Sequence, residues 1–172
     1  MASEALFARY WAVPFDAETA IEGTWVDGPN IALFERLREV LGGQWLVAED
    51  LGEVDESVHD LRRKAGLLST RVLQFAFGPG DSRLHLPENC PPDSVLYTGT
   101  HDNDTTAGWY EDEERTQEQK FFRHYLGLQD DISTEEAVEQ MVRLAMRSVA
   151  NICIVPYQDV LKKVLRPSRK RE

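Results

Sequence analysis

Amphipathic helix patterns and short apolar runs alternate along most of this 172-residue chain. Apolar residues recur at helical spacing in residues 30–43, 55–66, 111–127 and 133–151. Apolar runs of strand length lie in residues 44–50, 70–78 and 93–100, and another begins at residue 152. Because parallel strands are joined by crossover connections that usually contain a helix, this order predicts an α/β fold with a parallel sheet.

Local signals mark the ends of the predicted helices. Asn30 can cap the first helix at its N-terminus, and Gly42 can end it. Gly66 can end the second helix. Ser133 and Glu136, in the stretch "STEE", have the spacing of a capping box. These boundaries are therefore predicted from local chemistry alone.

One long connection interrupts the alternation. It reads "GPGDSRLHLPENCPPD" and covers residues 78–93. The segment is long enough to cross over a sheet but too rich in proline and glycine to form a helix. Connections of this length without regular structure are more often functional than idle, so we expect this one to contribute to function.

The charge of the chain restricts the partners that it can bind. The formal net charge is −11 at pH 7. Nucleic-acid binding needs a basic surface that neutralises phosphates, so we expect no nucleic-acid partner. Residues 162–172 form a basic tail, which is more typical of a solvated terminus than of a targeting or binding signal.

The sequence shows no signal for membrane insertion, secretion or metal binding. No apolar run reaches the length of about 18 residues that a membrane-spanning helix needs. The start, "MASEALFARY", lacks the regions of a secretory signal, so we expect a cytoplasmic protein. Cys90 and Cys153 are far apart and have no neighbouring ligand pair, which predicts reduced thiols. The histidines also lack ligand spacing, so no metal site is predicted.

Acidic and aromatic residues follow the predicted strands at their C-terminal ends. In parallel α/β sheets, binding sites form at this edge. The residues concerned are Glu49, Asp50, Phe75, Phe77, His101, Asp102, Asp104, Gln158 and Asp159. Because acids recur at these positions, the pattern predicts a site built on carboxylates.

Glu49 and Asp50 are neighbours, so on a strand their side chains point to opposite sides. Glu49 shares its side with Val47. If that side faces the site, Glu49 is the functional acid and Asp50 supports it. Either acid is also compatible with a helix N-cap or a solvated loop, because the stretch "DLGEVDES" leads into a helix.

The stretch "GTHDNDTTAGWY", residues 99–110, concentrates polar side chains directly after an apolar strand. One interpretation is an Asx-rich turn that caps the next helix, a role that Asp104 fits better than Asp102. His101 alone is more often a structural hydrogen-bonding residue than a catalyst. The alternative is that this loop carries chemistry together with other strand ends.

Two well-placed carboxylates can perform glycosidic chemistry. One acid donates a proton to the leaving oxygen, and the other acts as nucleophile or stabilises an oxocarbenium-like transition state. Phe75, Trp25 and Trp109 could then stack on sugar rings. For each ring taken alone, packing in the core is the better interpretation.

Four motifs, in this order and spacing, resemble the amylomaltase family of 4-α-glucanotransferases, which are also called disproportionating enzymes. They are "AEDLGEV", "RVLQFAFG", "LPENCPPDSVLYTGTHDNDTTAGWY" and "VANICIVPYQDVL". The resemblance runs from about residue 7 to residue 161 and divides the chain into a partial barrel, 1–161, and a basic tail without resemblance, 162–172.

The resemblance implies a (β/α)8 barrel and a retaining mechanism on α-1,4-glucans such as maltooligosaccharides. Glu49 matches the general acid/base, which follows the fifth barrel strand. Asp102 matches the aspartate after the seventh strand, which holds sugar hydroxyls and stabilises the transition state. His101 and Phe75 match substrate-binding positions, and Asp50 is assigned to substrate binding with them. The resemblance implies no cofactor and no metal.

The nucleophile of the family has no match in this sequence. The family carries it in an "RIDHFRG"-like segment, and the equivalent position here falls near Ala2. The sequence therefore predicts the second half of a (β/α)8 barrel without significant transferase activity of its own. We expect the chain to self-associate or to pair with a chain that carries the first half. The alternative is a non-catalytic glucan-binding protein or a degenerate truncated homologue.

Overall fold

The structure is a computed structural model that describes residues 5–42, 46–49, 51 and 56–161. The predicted basic tail, 162–172, and Asp50 lie outside the described residues. The chain divides into two compact units between Thr70 and Arg71, and each is described by itself.

The first unit combines a β-hairpin with two longer helices. Its elements are α1 (Ala5–Ala8), β1 (Arg9–Ala12), β2 (Thr24–Asp27), α2 (Asn30–Leu41), β3 (Val47–Ala48), α3 (Glu56–Ala65) and the start of β4 (Leu68–Val72). Strands β1 and β2 pair antiparallel with Trp11 opposite Trp25. The two indole rings meet edge to face at a centroid distance of 5.3 Å. The sequence pattern did not predict this hairpin.

Apolar side chains from α2 and α3 form the core of the first unit. The core is built around Phe34, Val58 and Leu61, all of which are buried. Gly42 ends α2 as predicted, because its left-handed backbone (φ 70°) lets its N–H donate to the carbonyl of Arg38. Asn30 is the first residue of α2, one position later than predicted for a cap, and its Oδ1 accepts a hydrogen bond from the N–H of Ile31 at 3.0 Å.

The second unit contains the larger core. Its elements after β4 are β5 (Ser94–Tyr97), α4 (Thr106–Glu111), α5 (Thr116–Leu126), α6 (Thr134–Ala145), β6 (Ile152–Ile154) and α7 (Tyr157–Val160). Phe77, Trp109, Phe122 and Met141 are buried together at its centre. The capping interaction at Ser133 is present, because the Ser133 hydroxyl accepts a hydrogen bond from the N–H of Glu136.

A four-stranded sheet has the order β3-β4-β5-β6. Strands β3 and β4 pair in parallel, with Val47 opposite Leu68. Strands β5 and β6 also pair in parallel, with Leu96 opposite Cys153. The expected α/β class with a parallel sheet is therefore confirmed, whereas the half-barrel stays a prediction.

Two predicted elements have different boundaries in the structure. Residues 70–78 were expected to be one strand, but β4 ends at Val72 and a 3-10 turn, Leu73–Phe77, follows. The helix expected from residue 111 begins at Thr116, because the acidic stretch forms a separate 3-10 turn. In that turn, the Asp112 carboxylate accepts a hydrogen bond from the N–H of Glu114 and satisfies the turn locally.

The long connection contains two 3-10 turns, Asp81–His85 and Pro87–Asn89. Cys90 is buried behind them, and both Cys90 and Cys153 are free thiols. Among the described helices, none is both long and apolar enough to cross a membrane.

Candidate functional site

His101 and Asp102 lie together on the loop that follows β5. The His101 Nε2 atom is 3.3 Å from Asp102 Oδ2, and both side chains are about two-thirds exposed (67% and 68%). Within the described part of the chain, neither side chain has another polar side-chain partner. Their positions therefore depend on the backbone of the loop, residues 99–105, rather than on packing.

Short hydrogen bonds fix the middle of this loop. The backbone N–H and the hydroxyl of Thr100 both donate to Asn103 Oδ1, at 2.9 and 2.8 Å. The N–H of Asn103 donates back to the carbonyl of Thr100 at 3.2 Å. The N–H of Asp102 donates to the Thr100 hydroxyl at 3.3 Å. A β-turn from Thr100 to Asn103, closed by the Asn103 side chain and the Thr100 hydroxyl, thus holds the backbone that carries the exposed pair.

Asp104 does not cap the helix that follows, so this part of the sequence interpretation was wrong. The cap of α4 is Thr105, whose hydroxyl accepts a hydrogen bond from the N–H of Gly108 at 3.1 Å. The Asp104 side chain is exposed. Its carbonyl instead accepts a hydrogen bond from Gln74 Nε2 at 2.9 Å. A hydroxyl one residue later in the chain could fill the cap position equally well, and the sequence did not distinguish the two.

Phe75 lies in the 3-10 turn after β4, and its ring is 40% exposed. Its neighbour Gln74 joins this turn to the loop after β5, since the N–H of Gln74 donates to the carbonyl of Thr98 at 3.2 Å. The Phe75 ring meets the imidazole of His85 edge to face, at a centroid distance of 5.6 Å. Phe75 was predicted from the sequence as a site residue and His85 was not, although His85 lies in the connection that was expected to contribute to function.

His85 is an uncharged residue at neutral pH. Burial, and secondarily the positive charge of Arg71, lowers the pKa of His85 to about 4. Its Nδ1 atom accepts a hydrogen bond from the N–H of Val72 at 3.1 Å. A neutral imidazole that accepts at Nδ1 carries its proton on Nε2, which leaves a hydrogen-bond donor beside the exposed Phe75 ring.

Asp159 is a buried acid near the same loop, and its importance was missed from the sequence. It lies on α7 and is only 2% exposed. Its carboxylate accepts hydrogen bonds from the hydroxyls of Thr98 and Thr106 at 2.7 and 2.6 Å, and from the N–H of Thr106 at 2.9 Å. In the sequence, a possible role in the site was indicated by its position after the strand "ICIV", which placed it among the acids at strand ends.

Glu49 belongs to the first unit and directly follows β3. Along β3, Val47 is 46% exposed and Ala48 is fully buried. This alternation agrees with the pleat on which the assignment of Glu49 to the side of Val47 was based. The Glu49 side chain is half-buried. Asp50 lies outside the described residues.

The three candidate aromatic rings differ in exposure. Trp109 is 1% exposed and packs in the core, where its Nε1–H donates to Glu118 Oε2 at 3.1 Å. Trp25 is 58% exposed, and the guanidinium of Arg9 lies 4.4 Å from the centre of its ring. Trp109 is therefore a structural residue, whereas Phe75 and Trp25 are available to solvent.

An exposed carboxylate can accept hydrogen bonds, and the imidazole beside it can donate one. An exposed aromatic ring can cover the apolar face of a ligand. This chemistry suits a polyhydroxylated ligand such as a sugar. Among the described residues, no group of three or more His, Cys, Asp or Glu side chains is arranged to hold a metal ion.

Comparison with known proteins gives this site its context. The 4-alpha-glucanotransferase family model matches residues 5–169. The chain is 38% identical over 156 residues to 4-alpha-glucanotransferase of Streptococcus pneumoniae, a match that covers 91% of this chain and 30% of that protein. It is 42% identical over 165 residues to 4-alpha-glucanotransferase of Thermus thermophilus, covering 90% of this chain and 32% of that protein. The chain belongs to the 4-alpha-glucanotransferase family.

A solved structure agrees with this assignment. The chain superposes on amylomaltase from Streptococcus agalactiae in complex with acarbose with a TM-score of 0.75 and 28% sequence identity. The superposition covers 92% of this chain and 32% of that protein. The chain therefore spans about a third of the length of the relatives that it matches.

Proposed function

We propose that this chain carries part of the glucan site of a 4-α-glucanotransferase, which transfers α-1,4-glucan segments between maltooligosaccharides. The observation that carries the proposal is the exposed His101–Asp102 pair, 3.3 Å apart on the loop after a parallel strand. It occurs in a chain that belongs to the 4-alpha-glucanotransferase family.

In the proposed mechanism, Asp102 accepts hydrogen bonds from two sugar hydroxyls or stabilises positive charge as the glycosidic bond breaks. His101 donates a hydrogen bond to a neighbouring hydroxyl, and Phe75 lies against an apolar sugar face. Glu49 protonates the leaving oxygen and later deprotonates the acceptor hydroxyl. Asp50 is assigned to substrate binding on the resemblance alone.

A retaining transfer also needs a carboxylate nucleophile that forms a covalent glycosyl intermediate. The sequence has Ala2 near the matching position. We propose that the 172-residue chain by itself has no significant transferase activity. Removing one member of a catalytic group costs orders of magnitude in rate, so the remaining carboxylates do not compensate.

The proposed architecture is the second half of a (β/α)8 barrel. Strands β3 and β6 are the two outer strands in the order of the described sheet. Exposed strand edges favour pairing with another chain. We propose that the chain self-associates or pairs with another chain through these edges. Sedimentation velocity over a range of concentrations tests this, and a compact monomer at every concentration would contradict it.

The proposed function is tested with maltotriose and acarbose. Isothermal titration should show acarbose binding to the wild-type chain and much weaker binding to Asp102→Asn. Asp93→Asn, an exposed acid before β5, is the matched control and should bind like the wild type. Incubation with maltotriose should produce neither glucose nor longer oligosaccharides.

The possible results separate the alternatives. Transfer products from maltotriose would show that a nucleophile is present and would overturn the proposed inactivity. Acarbose binding that does not change in Asp102→Asn would favour a glucan-binding role that does not use this pair. Absence of binding to the wild type would favour a degenerate homologue.

A further inference from the structure

Among the described residues of the second unit, Asp159 is the most deeply buried acid. It is 2% exposed, yet it makes no ion pair among the described residues. Its carboxyl group accepts hydrogen bonds instead from three donors, which are two threonine hydroxyls and one backbone N–H. Leaving a buried acceptor without its donors is costly in free energy, so this cluster resists rearrangement.

The three donors bracket one loop. Thr98 directly precedes the loop, residues 99–105, and Thr106 directly follows it. Both hydroxyls converge on the same carboxylate oxygen, Asp159 Oδ2, at 2.7 and 2.6 Å. The N–H of Thr106 donates to the other oxygen at 2.9 Å. The carboxylate therefore holds the two ends of the loop at one point.

The loop has its own internal bonds, but these do not fix its ends. These hydrogen bonds join Thr100 to Asp102 and Asn103, in the middle of the loop. The side chains of His101 and Asp102 are largely exposed and contact only each other among the described polar groups. The direction in which this pair points is thus set by the backbone, which is held by Asp159 at both ends of the loop and by Gln74 Nε2 at the carbonyl of Asp104.

We propose that Asp159 is a positioning residue that fixes the loop from which His101 and Asp102 reach the ligand. It does not touch the ligand itself. The identification of that ligand as a glucan rests on the proposed function, whereas the anchoring of the loop does not. Asp159 follows β6, so the proposal also gives the "PYQD" stretch a role in the site.

The test compares four variants of the full chain. Asp159→Asn replaces one accepting oxygen by an NH2 group, so in either orientation of the amide the two hydroxyls and the N–H of Thr106 can no longer all donate to this side chain. Thr106→Val removes one hydroxyl, and Thr106→Ser retains it. Ser94→Ala is the matched control for loss of a buried hydroxyl, since Ser94 is fully buried but donates to the carbonyl of Pro91, before β5.

Each variant is measured by amide hydrogen exchange and by acarbose titration. In Asp159→Asn and Thr106→Val, exchange at the amides of Asn103 and Thr106 should rise at least about tenfold. The amide of Leu128, which donates to the carbonyl of Arg123 at 2.9 Å and lies outside the loop, is the reference and should change less than the two loop amides. The acarbose dissociation constant should rise about tenfold. Thr106→Ser and Ser94→Ala should behave like the wild type.

The outcomes distinguish this inference from the proposed function. Unchanged exchange at Asn103 in both Asp159→Asn and Thr106→Val would overturn the inference. So would a loosened loop that binds acarbose as tightly as the wild type does. If the wild type does not bind acarbose, the proposed function fails, and the exchange data alone decide whether Asp159 holds the loop. If Asp159→Asn does not fold, the comparison of Thr106→Val with Thr106→Ser decides whether these hydrogen bonds hold the loop.

Discussion

Gln74 and Gly99 approach so closely that a Cβ atom at position 99 would displace the Gln74 side chain. A Cβ atom on Gly99 would lie 2.8 Å from Gln74 Nε2 and 3.2 Å from its Cδ. The same amide nitrogen donates to the carbonyl of Asp104 at 2.9 Å. The buried Gln74 side chain thus connects the turn after β4 to the loop after β5 through a contact that has no space for a methyl group.

Gly99→Ala should therefore destabilise the chain. The added methyl group must displace Gln74 and disturb its hydrogen bond to Asp104, at a cost of about 1–3 kcal/mol in the free energy of unfolding. Urea denaturation measures this change. Gly108→Ala is the control, because its Cβ would lie 3.4 Å from the nearest atoms, and alanine favours the helix. Equal stability of the two variants would contradict the prediction.

Phe75 and Phe77 should respond differently to replacement by alanine. Phe77 is 3% exposed and contacts the rings of Trp109 and Phe122 at centroid distances of 5.8 and 5.1 Å. Phe77→Ala should therefore lower the free energy of unfolding by about 3–5 kcal/mol. Phe75→Ala should cost about 1 kcal/mol or less but weaken acarbose binding several-fold. Thermal denaturation and titration of both variants test this, and a large stability loss at Phe75 would assign that ring to the core.

The stability of the chain should fall in mild acid because of His85. Its native pKa is about 4, below the usual value of 6.5, mainly because of burial and secondarily because of Arg71. Between these values the unfolded chain binds a proton that the native ring does not bind. The low pKa of His85 therefore makes its full contribution to the free energy of unfolding above about pH 6.5. This contribution is lost as the pH falls toward about 4, by less than about 1.4 kcal/mol per pH unit because the ring is partly exposed.

Urea denaturation from pH 7 to pH 4.5 measures this dependence. His85→Gln should reduce the slope of the free energy of unfolding against pH. His124→Gln changes an exposed histidine on α5 and controls for the loss of one histidine. A slope that is the same in all three proteins would show that His85 does not titrate as the structure indicates.

Cys90 should be unreactive in the native chain. Burial raises its pKa to about 11, an effect that Arg71 opposes and Glu88 reinforces. Alkylation by iodoacetamide at pH 8 should be at least about a hundredfold slower than in urea. Mass spectrometry of the labelled peptides checks this. Cys153, which is only partly buried, serves as the internal comparison and should be labelled before Cys90.

The sequence predicted those elements whose signals are local. Helices α2, α3 and α6 follow from apolar spacing, and Gly42 and Ser133 mark two of their ends correctly. The hairpin in the first unit was missed because its strands are mostly exposed and show no buried alternation. The predicted strand continued past the end of β4, because "LQFAF" is apolar enough for a strand although it forms a 3-10 turn.

The candidate site was predicted in part. The positions of Glu49, Phe75, His101 and Asp102 after their strands could be read from the order of the elements. The role of Asp104 was wrong, because a cap depends on which of two adjacent residues turns toward the helix. Asp159 could be noted only as an acid after a strand, since its donors are 53 and 61 residues away in the chain.

Periodicity, charge and motif spacing by themselves determined the fold class, the family resemblance and the loop that carries His101 and Asp102. These properties depend on residues that are close in the chain, where side-chain spacing and backbone preference act directly. The burial of Trp109, the neutral state of His85 and the anchoring of the loop by Asp159 were decided only by tertiary structure. Each depends on which distant groups displace water around a side chain, and no local pattern in the sequence specifies that.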